Sequence, residues 1–98
     1  MEGWLYLLRP VRDGMATDPT AAEGELLREH FAYLERLRDE GRLIVAGPSI
    51  VGGDAFGLAV LDIAAEPEAR AVMEGDPAVA GGLMRAELRP LRLSVVRS

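Results

Sequence analysis

One side chain in this sequence titrates near neutral pH without any help from its surroundings: His30. The 98 residues hold 11 basic side chains, all of them arginine, against 16 acidic ones, with no lysine and no cysteine. Without cysteine there is no thiol nucleophile, disulfide framework or cysteine zinc site. Without lysine there is no Schiff base or lysine general base. A zinc site built on several histidines is excluded as well. Proton chemistry in this chain therefore runs through His30.

His30 lies within a run of helical period that begins at Glu25. Leu27, Phe31 and Leu34 form one row, Leu26, Tyr33 and Leu37 lie beside it, and the charges at 28, 29, 35, 36 and 39 take the other side. At about 100° per residue, His30 points between Leu34 and Leu37, on the apolar stripe. A histidine there is either a core residue or a site residue, and in both cases a buried imidazole needs a hydrogen-bond partner. Asp76 is the leading candidate. Because Pro77 follows it, Asp76 also reads as a helix cap, with the carboxylate on free amides and proline at the first helical position. Four further residues are candidate substrate contacts. Gly47, Pro48 and Ser49 close an extended segment whose exposed amides could meet a ligand oxygen. Arg9, at the exit of another, could hold an anionic group by a bidentate contact. The alternatives are a turn at Gly47-Pro48 and a surface role for Arg9. Gly52-Gly53 forms no phosphate-binding pattern.

The elements that must position these groups are legible in order. Trp4 to Leu8 is a short run, apolar on both faces and ended by Arg9-Pro10, which predicts a central strand. A loop follows through Asp18. Thr20-Ala21-Ala22-Glu23 has the spacing of a capping box, and Gly41 supplies the left-handed stop of the first helix. Leu43 to Pro48 reads as a second buried strand. After a connection containing Gly52-Gly53-Asp54, Phe56 to Ile63 reads as a third, the antiparallel neighbour of the second. Pro67 stands in the first turn of a second helix that stops at Gly75, and Asp76-Pro77 opens one more helical turn. The last strand begins near Leu83. Its apolar phase passes from Met84, Ala86 and Leu88 to Leu91, Leu93 and Val95, which predicts a bulge or break at Arg89-Pro90.

The order is βαββαβ in a single domain, 1–98, without repeat or linker. Right-handed crossovers place both helices on one face of a four-stranded antiparallel sheet, a ferredoxin-like α+β sandwich. A chain this short buries only about 60 to 65% of its unfolded surface, and two helices cover one sheet face only. The other face is apolar, and the simplest cover is a second copy packed sheet to sheet, a homodimer. The formal charge of −5 argues against nucleic acid. The longest uncharged run, Leu43 to Gly53, is 11 residues, too short to cross a membrane. These features predict a soluble, cytoplasmic protein.

Leu27-Arg28-Glu29-His30-Phe31-Ala32-Tyr33-Leu34, then Gly41-Arg42-Leu43 and Ala46-Gly47-Pro48, then Gly75-Asp76-Pro77-Ala78-Val79-Ala80-Gly81-Gly82-Leu83 together resemble the YCII-related (YciI-like) proteins. The ordered set of helix histidine, AGP strand end and DP turn carries the resemblance. It implies a ferredoxin-like fold that dimerises as an α+β barrel, and a site in which His30 pairs with Asp76. The implied chemistry is cofactor-independent elimination or isomerisation of a small oxygenated or anionic ring compound, needing neither metal nor organic cofactor. The alternative is a non-catalytic dimeric module that binds a small molecule.

Overall fold

The computed structural model describes residues 1–15, 17–49 and 56–97. The chain order is β1 (Glu2–Pro10), α1 (Ala21–Asp39), β2 (Leu43–Pro48), β3 (Gly57–Leu61), α2 (Glu66–Gly75), a single turn α3 (Pro77–Ala80) and β4 (Met84–Arg92). The strands form one antiparallel sheet in the order β2-β3-β1-β4. This is the expected ferredoxin-like α+β arrangement, with the Trp4–Leu8 run in a central strand. The connection around Gly52-Gly53-Asp54 lies outside the described residues.

Local signals set the limits of α1. The Thr20 hydroxyl accepts from the Glu23 amide at 3.1 Å while the Glu23 carboxylate accepts from the Thr20 amide at 2.8 Å, completing the capping box. Gly41 leaves the helix with φ 77°, a conformation only glycine enters without strain.

Side chains alternate along each strand, and register then decides what meets the helices. Tyr6 and Leu8 of β1, Ala59 and Leu61 of β3, Ala86 and Leu88 of β4 share one face and pack with Leu34, Leu37, Ala69, Val72 and Met73 of α1 and α2. Leu5, Leu7, Leu58 and Val60 project from the other face, and none of them joins that core. A second, smaller cluster forms where Met15, from the loop before α1, packs with Ala78 and Leu83.

Three expectations are corrected. β2 is an edge strand and is not buried: Val45 is 54% exposed, because only β3 flanks it. The predicted bulge at Arg89-Pro90 is absent. β4 pairs with β1 in unbroken register, with Pro90 opposite Trp4. β4 is also an edge strand, so the missing proline N–H costs no ladder bond. The change of apolar phase instead marks a change of face, since Leu88 lies on the helix side and Leu91 on the open side. The register irregularity of the sheet falls between Leu43 and Val45, against β3. β3 is also shorter than expected, ending at Leu61, although Ile63 remains in the core.

Candidate active site

His30 stands in the middle of α1 and is 5% exposed; Asp76 links α2 to α3 and is fully buried. The fold brings them together across 46 positions of sequence. Nδ1 of His30 lies 2.7 Å from Oδ1 and 2.9 Å from Oδ2 of Asp76. The carboxylate has two further donors: the Ala78 amide to Oδ1 at 2.9 Å and the Tyr6 hydroxyl to Oδ2 at 2.9 Å. The two roles that Asp76 could play are thus combined in one side chain, which caps α3 and holds the histidine. With three donors converging on it, the buried charge is satisfied on both oxygens.

A carboxylate that accepts at Nδ1 assigns the ring proton to that nitrogen and leaves the lone pair of neutral imidazole on Nε2. His30 lines a cleft of about 790 Å³ between α1 and the β2–β3 end of the sheet, whereas Asp76 does not reach it. Asp76 is therefore linked to the cleft through its hydrogen bonds to His30. The cleft wall is mostly apolar, with Leu8, Leu27, Leu34, Ala46 and Met84, and it carries two aromatic rings, Phe31 and Phe56. Phe31 is 53% exposed, its ring centroid 5.2 Å from that of His30.

Tyr6 emerges from the sheet directly beneath this pair. Burial, reinforced by the charge and hydrogen bond of Asp76, pushes its phenol far above the ordinary value, so it remains a donor. Tyr33 anchors the same region from α1 by donating to the Val72 carbonyl at 2.6 Å, and its phenol too is raised, first by burial and then by the Asp76 charge.

The other expected residues divide. Gly47, Pro48 and Ser49 line the cleft. Their backbone offers less than expected, because the Ser49 amide donates to the Phe56 carbonyl at 2.7 Å and Pro48 has no N–H. Arg9 projects from the open face of the sheet, beside Leu7, Arg85 and Glu87, with its guanidinium 5.5 Å from the Phe56 ring centroid; the structure does not bring it to the wall beside His30. The cationic wall residue is Arg38, two turns along α1 from His30, with Glu35 between them. Arg38 stands in the last turn of α1, where a cation suits the helix end, and the spacing 30, 34, 38 places it on the same face as His30. Met15 and Thr17, from the loop before α1, also line the cleft, and no periodicity could have found them.

Comparison with known proteins agrees with this architecture. No curated protein sequence matches the chain. Among solved structures, the 5-chloro-2-hydroxyhydroquinone dehydrochlorinase TftG from Burkholderia phenoliruptrix AC1100, in complex with 2,5-dihydroxybenzoquinone, is similar over 88% of this chain and 90% of its own. The TM-score is 0.64 at 20% sequence identity, so the likeness is one of fold. The model of the YCII-related domain matches residues 8–92, from near the end of β1 to the end of β4 and including both His30 and Asp76. The chain belongs to the YCII-related family.

Proposed function

We propose that this protein is a cofactor-independent enzyme that moves a proton on a small oxygenated or anionic ring compound, with His30 as the base. The observation that carries the proposal is the pairing itself: Nδ1 of His30 is held by a buried carboxylate, and the ring stands in the wall of an apolar cleft. In this reading Nε2 removes a proton from a ring position activated by a neighbouring carbonyl or hydroxyl. The electron pair left behind either expels an anion from the adjacent carbon, an elimination, or is reprotonated elsewhere, an isomerisation. Asp76 stabilises the imidazolium formed in between. Phe31, beside His30, suits a flat ring, and Ser49 and Arg38, which also line the cleft, are the candidates to meet its oxygens. The fold likeness to a dehydrochlorinase with a bound dihydroxybenzoquinone supports the same class of substrate. The half-buried apolar face formed by Leu5, Leu7, Leu58 and Val60 supports a homodimer joined sheet to sheet.

Two probes test the chemistry: chloride release from 5-chloro-2-hydroxyhydroquinone, and solvent deuterium uptake at the ring carbons of 2,5-dihydroxybenzoquinone. The wild type accelerates at least one, and His30→Gln loses roughly 10²- to 10⁴-fold with the fold retained by circular dichroism. An unchanged rate in His30→Gln removes His30 as the base. A wild type that binds the quinone and accelerates neither reaction makes the cleft a binding site.

A further inference from the structure

Resting on the reading of His30 as the base, we infer that Tyr6 is a positioning residue for it, acting through Asp76 from the centre of the sheet. Tyr6 is wholly buried on the helix face of β1, and its hydroxyl donates to Oδ2 of Asp76 at 2.9 Å. It is not among the residues that line the cleft, so it meets no ligand. Its effect lies in the plane of the carboxylate. The Ala78 amide fixes Oδ1 from the start of α3, and one anchor alone leaves the group able to turn about its Cβ–Cγ bond. The Tyr6 hydroxyl holds the second oxygen. With both oxygens held by donors, the plane of the carboxylate is set toward His30, and Nδ1 approaches both oxygens at 2.7 and 2.9 Å. The imidazole is thereby locked in the tautomer that leaves Nε2 free to accept. A phenol held far above its ordinary pKa stays protonated at working pH, and opposite a carboxylate it donates.

Tyr33 provides an internal control. It too is a tyrosine whose hydroxyl makes a hydrogen bond in this region, but it donates to the Val72 carbonyl and not to Asp76. Tyr6→Phe and Tyr33→Phe each remove one such bond, so both lower stability. Only Tyr6→Phe frees the carboxylate. Because the chain has one histidine, ¹⁵N NMR of its ring reports the tautomer without assignment. The expected result is a nearly pure Nδ1–H form in the wild type and in Tyr33→Phe, and a mixed population in Tyr6→Phe. With the quinone as probe, kcat of Tyr6→Phe falls on the order of 10- to 100-fold at unchanged KM. Wild-type ring shifts in Tyr6→Phe, or equal displacement in both variants, overturn the inference. If Tyr6→Phe does not fold, the wild type still decides. A slowly exchanging Tyr6 hydroxyl proton with a cross-peak to the His30 Nδ1 proton is required, and its absence refutes the arrangement. The ring readout does not depend on turnover. Altered shifts without any catalysis would sink the enzymatic reading alone; catalysis lost in His30→Gln but with an unmoved ring in Tyr6→Phe would sink the role of Tyr6 alone.

Discussion

Replacing Asp76 by asparagine keeps the shape of the side chain and turns one acceptor into a donor. The surroundings dictate which. The Ala78 amide is backbone and cannot turn round, so the remaining carbonyl oxygen has to stay at the Oδ1 position, 2.9 Å from it. The new NH₂ then occupies the Oδ2 position, facing the Tyr6 hydroxyl and Nδ1 of His30, each 2.9 Å away. The hydroxyl can rotate to accept. Imidazole can accept at Nδ1 only by moving its proton to Nε2. Nδ1 also lies 2.7 Å from the oxygen kept at the Oδ1 position, so asparagine sets an acceptor and a donor side by side before the ring; the Nδ1–H form is no longer enforced, and the population shifts toward the tautomer that withdraws the base from the cleft. In serine proteases the same substitution lowers turnover about 10⁴-fold, which sets the scale expected here. Stability changes less. Three charge-assisted hydrogen bonds become neutral ones, a loss of about 1 kcal/mol each, partly offset because a charge no longer has to be buried. A net loss of about 1–3 kcal/mol corresponds to a Tm lower by roughly 5–20 °C in a domain of this size. Asp76→Ala is the harsher change, since it leaves three buried donors without an acceptor at about 1–3 kcal/mol each. Its Tm falls below that of Asp76→Asn. The assay is ¹⁵N NMR of the single imidazole, with thermal unfolding of both variants. An Nδ1–H population in Asp76→Asn unchanged from the wild type, or an alanine variant as stable as the asparagine one, would refute the reasoning.

Glu23 contributes to acid sensitivity. The Arg12 hydrogen bond, followed by the Thr20 amide, holds its carboxyl at about 2, below the ordinary 4.5. A depressed folded-state pKa contributes stability that is complete above about 4.5 and is lost as pH falls toward 2. Tm measured across that window therefore drops more steeply in the wild type than in Glu23→Gln. Gly24 lies in α1 with open space where a Cβ would stand, so Gly24→Ala raises stability by about 0.5–1 kcal/mol in urea titration. Gly3 is the opposite case, because a Cβ there would meet the Leu61 carbonyl oxygen at 2.7 Å and Leu93 at 2.9 Å. Gly3→Ala forces β1 and β3 apart and costs about 1–3 kcal/mol by the same measurement. Leu7→Asp places a charge on the open sheet face; sedimentation equilibrium should find a dimer in the wild type and a folded monomer in the variant. A monomeric wild type would exclude sheet-to-sheet pairing.

What the sequence determined by itself is whatever short-range physics controls. Thr20 and Glu23 are three residues apart, Gly41 follows its helix directly, and the stripe from Leu27 to Leu37 has the helical period, so α1 and the inward direction of His30 follow from neighbours in the chain. The alternation of Met84, Ala86 and Leu88 identifies a strand in the same way. Pro90 misled because a proline and a phase change look like a bulge along one strand, while only the sheet order shows that β4 is an edge where proline is harmless. The exposed β2 is a similar case, since apolar content does not say how many strands flank a strand. The site itself was partly legible: helix phase and the Asp-Pro pair pointed to His30 and Asp76, but their meeting spans 46 positions and that of Tyr6 with Asp76 spans 70. Such contacts are chosen by register and by the need to satisfy a buried carboxylate from every side, neither of which has a period in the chain. The tertiary structure alone decided that the cap and the histidine partner are one and the same contact set, and that it also accepts from a core tyrosine. It also decided that the cleft takes its cation from Arg38 while Arg9 leaves the sheet on the other face.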